Sequence, residues 1–360
     1  MSALTTDSPL LRPITLGSID AANRILMAPL TRSRAHDDGT PSDLQVEYYR
    51  QRAGAGVIIA EGTQPSAVGK GYTNTPGLHS DAQQAGWARI ADAVHGKGGK
   101  IVVQLMHVGR MSHPDNSGVE SVAPSAIAPE GAQMFTKSGM QDIPTPRALQ
   151  TDELAGVIAE YVDASRRAIA AGLDGVELHA ANGYLLHEFL SDSENTRTDG
   201  YGGSPENRAR FVVEVTQAVA QEIGADKVGM RLSPGHAANA MTEKNNLDTY
   251  LALVRAIDPL GLAYLHVLAE PTDPALAAIR QLWSGPFVLN TGFGLQSDRD
   301  EMERLISDGS TDAVAVGRPF IANPDLVQRW EAGAELAESN QQTWYGGGAE
   351  GYTDYSALAS

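Results

Sequence analysis

Short runs of apolar residues recur along the chain, and most of them are followed by a stretch with helical spacing. The runs lie at residues 24–30, 56–62, 100–106, 174–180, 227–233, 263–267, 286–290 and 312–317. Their apolarity is unbroken rather than alternating, which is typical of strands that are buried on both faces. The pattern therefore predicts eight strands of a parallel sheet.

The intervals between these runs carry the start and stop signals of helices. Residues 80–99 begin with a Ser–Asp cap and end in Gly, and a second helix is predicted from a Thr151 cap to Gly172. Similar signals bound residues 204–224, 296–309 and 323–333. Eight strand–helix units predict an α/β protein with a (β/α)8 TIM barrel. A doubly wound open sheet is the alternative, which is disfavoured because no G-x-G-x-x-G motif follows an early strand.

The chain is longer than such a barrel requires. A barrel takes about 250 residues, whereas this chain has 360. The surplus lies in an N-terminal stretch, in a Gly/Pro/Ser-rich insertion at 107–150 and in a tail at 333–360. No linker separates a second domain. We expect one domain over 1–360, with the insertion as a lid between strands three and four and the tail packed at the active-site face.

Charge and composition exclude several classes of function. The chain has 27 basic and 44 acidic residues, a net charge of -17, and no cysteine. Such a surface repels nucleic acids and anionic membranes, so neither is an expected partner. The lack of cysteine excludes disulfides, thiolate metal sites and a cysteine nucleophile. No apolar run reaches the roughly 18 residues of a membrane span, and no secretory signal is visible, so we expect a cytoplasmic protein.

The active site of a TIM barrel lies at the carboxyl ends of its strands. The polar or glycine-rich loops after strands seven and eight, 290–294 and 317–320, are typical of phosphate binding. Gly292, Gly294 and Gly317 would let backbone N–H groups approach phosphate oxygens, and Arg318 would add a charge-assisted pair. The alternative is that these glycines only form tight turns and that Arg318 belongs to a surface ion pair.

Polar residues also end strands three, four and five. Gln104 and Arg231 suit the edge of a flat heterocycle with carbonyls and ring nitrogens, although a structural Arg–carboxylate pair is equally compatible with the sequence. His179 and Asn182 are three residues apart at a strand-to-helix turn. Two neutral donors that converge on one oxygen can stabilise developing negative charge. The alternatives are a structural histidine or a zinc ligand, and the latter is disfavoured because no third ligand stands at metal spacing.

Five segments of the chain form a recognisable set in order. They are NRILMAPLTRSRA (23–35), QLMHVGRMS (104–112), ELHAANGYLLHEFLSDSENTRTDGYGGSPENRARF (177–211), AVGRPFIANPDL (315–326) and YGGGAEGYTDY (345–355). The chain thereby resembles the old yellow enzyme family of flavin-dependent ene-reductases. The likeness is strongest to the bacterial branch of N-ethylmaleimide reductase and pentaerythritol tetranitrate reductase.

The resemblance implies a barrel that holds one non-covalent FMN. The residues implied to lie at the flavin ring are Pro29, Leu30, Thr31, Ala60, Gln104 and Arg231. Those implied to hold its phosphate are Gly292, Phe293, Gly317 and Arg318. The family pattern further makes His179 and Asn182 the ligands of the acceptor's oxygen and Tyr184 the proton donor. Tyr345 and Met106 would line the substrate pocket.

The function that the resemblance implies is NAD(P)H-dependent reduction of activated alkenes. NADPH or NADH reduces FMN, and an α,β-unsaturated carbonyl, maleimide or nitro compound then accepts hydride while Tyr184 supplies the proton. Met106 stands where several relatives carry Trp, which reshapes the pocket. Thr31 stands where the thermophilic-like branch of the family carries Cys. The resemblance therefore indicates the classical branch. Two alternatives are a cofactor-free lyase or isomerase acting on a phosphorylated substrate, and a passive flavin-binding protein.

Overall fold

Eight parallel strands close into a barrel in the computed structural model, which describes residues 3–5, 7–244, 246–292 and 298–358. Each barrel strand pairs with the barrel strand that follows it in the chain, and the eighth pairs with the first. The barrel strands are Ile25–Met27, Ile58–Thr63, Ile101–Leu105, Gly175–Ala180, Val228–Leu232, Tyr264–Leu268, Phe287–Asn290 and Ala313–Val316. Each of them lies within or overlaps one of the predicted apolar runs, so the predicted (β/α)8 barrel is confirmed.

Helices surround the barrel and connect its strands. The α-helices are Asp43–Gln51, Asp81–His95, Pro114–Ser117, Leu154–Ala170, Leu185–Leu190, Pro205–Ile223, Leu247–Ile257, Pro274–Leu282, Arg299–Ser307, Pro319–Ala322 and Leu326–Ala332. The predicted stops at Gly224 and Gly333 are confirmed, since both residues cap their helices.

The predicted N-cap at Thr151 is wrong. Gln150 and Glu153 form a capping box one residue earlier, around the 3-10 turn Thr151–Glu153, and the α-helix begins only at Leu154. The hydroxyl of Thr151 instead donates to Asp199 at 2.6 Å. Asp199, which is distant in sequence, therefore binds the Thr151 hydroxyl that a local N-cap would have used.

Side chains of the barrel strands alternate between two apolar clusters, because successive residues of a strand point to opposite faces. Val176 and Leu178 belong to the cluster between the barrel and its helices. The second cluster fills the lower part of the barrel and includes Tyr264, together with the hairpin Ile14–Leu16 and Ile19–Ala21. The hairpin closes the amino-terminal end of the barrel, because Ser18 at its turn donates to the carbonyl of Asp226 just before the fifth strand.

The 107–150 segment carries a small substructure of its own. It contains the helix Pro114–Ser117, the strand pair Val122–Ala123 and Arg147–Ala148, and the hairpin Gln133–Thr136 and Gly139–Asp142. Its Val108, Met111, Met134 and Ile143 form an apolar cluster with Met106. Tyr72 and Tyr184 pack against this cluster, so the segment lies next to the carboxyl end of the fourth strand.

Within the described ranges, the structure has no helix that is both long and apolar enough to cross a lipid bilayer.

Gly229 leaves the room that the Tyr264 ring occupies inside the barrel, because a Cβ at position 229 would overlap that ring. Gly229→Ala should therefore lower the free energy of unfolding by about 1–3 kcal/mol through overpacking. Gly156→Ala is the control, since nothing lies within 4 Å of the Cβ it adds to the helix Leu154–Ala170. Replacing a helical glycine by alanine should stabilise by about 1 kcal/mol. Thermal or urea unfolding measures both, and equal effects in the two variants would contradict this packing argument.

Candidate active site

The interior of the barrel changes from apolar to polar toward the carboxyl ends of the strands. The buried polar side chains at this end include Gln104, Glu177, His179, Arg231 and His266. The strand register sets them side by side, with Glu177 opposite Gln104 and with Arg231 between His179 and His266. Gln104 and Arg231 therefore lie on either side of the fourth strand rather than on adjacent strands.

The carboxylate of Glu177 is held on both oxygens in the centre of this group. Gln104 donates from Nε2 to Oε1 at 2.7 Å, and Nδ1 of His266 lies 2.9 Å from Oε2. Desolvation raises the pKa of Glu177, but the nearby His266, Arg231 and Gln104 outweigh it, and the net pKa is lowered. Burial lowers the pKa of His266. The centre is therefore an ionised carboxylate that accepts from Nδ1 of the His266 imidazole.

Glu177 and His266 are residues that the sequence analysis does not find. Both interrupt apolar runs predicted to be buried on both faces, at VELHA and AYLHV. A charged or ionisable residue at such a position must be paired or functional, so the signal is present in the sequence.

Arg231 is buried and makes no hydrogen bond or ion pair with any residue that the structure describes. Its Nε is among the buried polar atoms without a partner. Burial lowers its pKa while the negative charge of Glu177 raises it, and a guanidinium remains charged in proteins. The Arg–carboxylate ion pair considered from the sequence is not found within these ranges. A buried guanidinium of this kind requires an acceptor-rich or anionic ligand.

His179 and Asn182 present polar atoms without partners at the same end of the barrel. Nδ1 of His179 and Oδ1 of Asn182 are buried and make no hydrogen bond within the described residues. Burial holds the pKa of His179 well below its ordinary value, and the charge of Arg231 lowers it further. The imidazole is therefore neutral. The Oδ1 atom of Asn182 can only accept, but the NH2 group of Asn182 donates to no described residue, so it can donate together with an imidazole N–H to one oxygen of a ligand.

The turn that carries Asn182 is fixed through its backbone. Asn182 and Gly183 have positive φ angles of 58° and 77°. The N–H of Asn182 donates to Oγ of Ser233 at 2.8 Å, and its carbonyl accepts from Nδ2 of Asn239 at 2.8 Å. The N–H of Gly183 donates to Nδ1 of His187 at 2.8 Å. This left-handed backbone costs free energy for a residue with a side chain, and the surrounding hydrogen bonds offset that cost.

Tyr184 lies at the start of the next helix with its hydroxyl 3.0 Å from that of Tyr72. Its ring centre is 5.2 Å from the His179 ring. Burial raises the pKa of Tyr184, although the hydrogen bond from Tyr72 opposes the shift. The phenol is therefore protonated at neutral pH. Met106 is buried in the apolar cluster against which Tyr184 packs. Tyr72 is a further residue that the sequence analysis misses.

The residues expected beside the ring occupy the ends of the first and second strands. Pro29, Leu30 and Thr31 are half-buried. Ala60 is fully buried, and its side chain belongs to the cluster between barrel and helices. A ligand inside the barrel would therefore meet the backbone of Ala60.

The expected phosphate loops lie beside these residues. A Cβ at Gly317 would come within 3.4 Å of Leu30, so the loops after strands eight and one are adjacent. Gly292 has a φ of 98°, and its N–H donates to Oδ1 of Asn290 at 3.2 Å. The guanidinium of Arg318 is exposed and stacks over the Trp344 ring at 5.6 Å, with no hydrogen bond or ion pair to a described residue. Phe293 and Gly294 lie outside the described residues.

Two buried arginines hold the C-terminal tail against the barrel mouth. Arg32 donates to the carbonyls of Trp344 and Gly351 at 2.8 Å each. Arg34 donates to the carbonyl of Thr343 at 2.9 Å. Tyr345 follows at the rim, where it is 68% exposed. Burial raises the pKa values of Tyr72 and Tyr184, and the phenol of Tyr345 lies close enough to raise both further by charge interaction.

These residues fit FMN. Arg231 offers an unpaired guanidinium to an electron-rich ring, and Gln104 offers its amide carbonyl to the N–H of a ring edge. Arg318 makes no hydrogen bond or ion pair with a described residue and lies beside the loops suited to a phosphate. A flat heterocycle with carbonyls and a phosphate tail would supply partners for these groups.

Comparison with known proteins identifies similar chains over nearly the whole length. The NADH:flavin oxidoreductase / NADH oxidase family matches residues 9–337. A probable flavin mononucleotide-dependent alkene reductase of Leishmania infantum is 40% identical over 96% of this chain and 96% of its own. Morphinone reductase in complex with tetrahydroNAD superposes with a TM-score of 0.93 and 45% identity, covering 97% of this chain and 98% of that one. An old yellow enzyme homologue from Zymomonas mobilis gives a TM-score of 0.93 and 39% identity, with 97% and 99% coverage.

Arg318→Ala should weaken retention of FMN, because the variant loses the free cation beside the phosphate loops. The flavin remaining after extended dialysis, measured by absorbance, should fall well below one per chain, whereas Arg318→Lys should retain more of it. Arg304→Ala is the control, because this exposed arginine pairs with Asp308 on the helix surface. Full flavin content in Arg318→Ala would contradict the assignment of Arg318 to the phosphate.

Proposed function

Because the chain belongs to the NADH:flavin oxidoreductase / NADH oxidase family, we propose how its residues carry out the flavin-dependent reduction of an alkene. The expected membership of the old yellow enzyme family is confirmed by this match and by the solved relatives. The protein is an FMN-dependent ene-reductase that uses NADPH or NADH as electron donor. The family favours this function over the cofactor-free lyase or isomerase considered from the sequence.

The residues that would hold FMN lie at the carboxyl ends of several strands. Gln104 and Arg231 would bind the polar side of the ring, with Pro29, Leu30, Thr31 and the backbone of Ala60 beside it. Gly292, Phe293, Gly317 and Arg318 would hold the phosphate. The chemistry that FMN supplies when bound is hydride transfer, from NADPH or NADH to the β-carbon of the alkene.

His179 and Asn182 would bind the oxygen of the activating group. The observation that carries this proposal is that neither the imidazole of His179 nor the side-chain NH2 group of Asn182 donates to any residue that the structure describes, while the imidazole stays neutral. Negative charge develops on that oxygen as hydride reaches the β-carbon, and donors already in place stabilise it without reorganising. An α,β-unsaturated carbonyl, a maleimide or a nitroalkene has such an oxygen, which defines the substrate class.

Tyr184 would donate the proton to the α-carbon. Its phenol is protonated and lies two residues beyond Asn182, with Tyr72 as hydrogen-bond partner at 3.0 Å. The hydroxyl of Tyr72 can compensate the phenolate as the proton leaves. Met106 and Tyr345 would shape the pocket from opposite sides, one buried and one at the rim. The insertion 107–150 would act as a lid, and the chain 1–360 as one FMN-binding domain.

Tyr184→Phe should separate the two half-reactions. Reduction of 2-cyclohexenone should fall by roughly 100- to 10,000-fold, the usual contribution of a general acid. Reduction of the flavin by NADPH and reoxidation by quinones should stay near normal, because neither needs a proton delivered to carbon from Tyr184. Stopped-flow absorbance measures each half separately. Tyr161→Phe removes a buried hydroxyl elsewhere and should spare both halves; an equal loss in both halves of Tyr184→Phe would exclude Tyr184 as the donor.

His179→Ala should slow enone reduction on the order of 100- to 1000-fold, the cost of one lost donor to a developing oxyanion. It should also weaken the binding of phenols to the oxidised enzyme, because a phenolate resembles the enolate that forms. Titration of the flavin spectrum with a phenol gives that affinity. His95→Ala, on a partly exposed helix end paired with Asp174, should leave it unchanged. Unaltered phenol affinity in His179→Ala would count against the shared-oxygen site.

A further inference from the structure

Glu177 is a fully buried carboxylate inside the barrel for which the reaction described above has no step. It is 0% exposed, with Gln104 opposite it on the third strand and Gly229 opposite it on the fifth. Burying a charge is costly unless it is paired and hydrogen-bonded. Its position and its contacts therefore require an explanation beyond packing.

The first consequence of Glu177 concerns Gln104. An ionised carboxylate only accepts hydrogen bonds, so the side chain atom of Gln104 that lies 2.7 Å from Oε1 must be its NH2 group. The amide carbonyl then faces away from Glu177, and it makes no hydrogen bond within the described residues. Without the carboxylate, the two orientations of an amide would be similar in energy, so Glu177 determines which atom of Gln104 is offered to a ligand.

The carboxylate itself is held rigidly. His266 lies at 2.9 Å from the second oxygen, with Nδ1 as the donor because the carboxylate can only accept. The ring of Tyr264 fills the space left by Gly229. Burial raises the pKa of Tyr264, and the negative charge of Glu177 raises it further. With both oxygens engaged, Glu177 keeps one orientation.

The second consequence concerns charge. Arg231 and Glu177 face the same interior, yet they form no ion pair at 4.0 Å or less within the described residues, so the guanidinium remains available to a ligand. When bound, FMN would gain one negative charge on two-electron, one-proton reduction. The cation of Arg231 would stabilise that charge, and the anion of Glu177 would oppose it across a low-dielectric interior.

We propose that Glu177 is a positioning residue with two effects. It turns the carbonyl of Gln104 toward the imide N–H of FMN, and its negative charge limits how far Arg231 stabilises the reduced ring. The second effect keeps reduced FMN a stronger hydride donor than Arg231 alone would allow. This inference rests on the proposed binding of FMN, and its tests involve no alkene.

Glu177→Gln removes the charge at nearly constant volume and should raise the midpoint potential of bound FMN. We expect the preference for reduced over oxidised FMN to increase by about tenfold or more, which corresponds to about 30 mV for a two-electron couple. Equilibration with reference dyes measures it. Glu214→Gln is the control, because this half-buried carboxylate lies on the outer helix Pro205–Ile223, where it accepts from the hydroxyl of Tyr201. Glu177→Asp should keep the potential near that of the wild type. An unchanged potential in Glu177→Gln would overturn the charge role.

FMN with a methyl group at N3 tests the orientation of Gln104 without a folding risk. The wild-type protein should bind it at least tenfold more weakly than FMN, because the methyl group replaces the N–H that faces the carbonyl. The difference in affinity between FMN and the N3-methyl compound should be smaller in Glu177→Gln. An amide at position 177 can both donate and accept, so it no longer fixes the orientation of the Gln104 amide. Equal affinities in the wild type would overturn the positioning role. Failure of the wild type to bind FMN itself would contradict the proposed function instead.

Discussion

Closure of the eight strands is the constraint on which the rest of the structure depends. Once the sheet closes, every second side chain of each strand must fit into one narrow interior. The lower part of that interior is filled by apolar residues and sealed by the hairpin before the first strand. Polar residues are confined to the other end, where a ligand can enter. The buried Glu177, Arg231 and His266 consequently share one interior, where their charges influence one another, and none of them can be explained separately.

The acceptor site depends on a second constraint, the left-handed backbone at Asn182 and Gly183. Such a backbone survives only when its surroundings determine it. Ser233, Asn239 and His187 each engage one backbone group of this turn. His187 is in turn bonded to Glu243 and Tyr250, on the loop and helix after the fifth strand. The orientation of the Asn182 side chain is thus set by the next strand–helix unit as well as by its own.

Much of the fold could be predicted from sequence because barrel strands are local and continuously apolar, and all eight runs became strands. The placement of His179, Asn182 and Tyr184 at the carboxyl end of one strand could be predicted for the same reason, since they lie within six positions of each other. Tyr72, by contrast, meets Tyr184 across 112 residues of chain, a distance over which no local pattern carries information. The Thr151 cap failed because a tertiary acceptor, Asp199, competes for the same hydroxyl. Glu177 was visible as a charge in a buried strand, but its partner His266 lies two strands further around the barrel.

The way in which Arg32 and Arg34 hold the tail has a consequence for how the mouth of the barrel can be altered. Both guanidinium groups donate to main-chain carbonyls of the tail, and the tail side chain that both of them stack on is Tyr352. Every residue has a main-chain carbonyl, whatever its side chain. The attachment therefore does not depend on the identity of positions such as Tyr345 or Glu350. Libraries that randomise these rim residues can vary the shape and polarity of the entrance while the main-chain attachment that positions it stays intact.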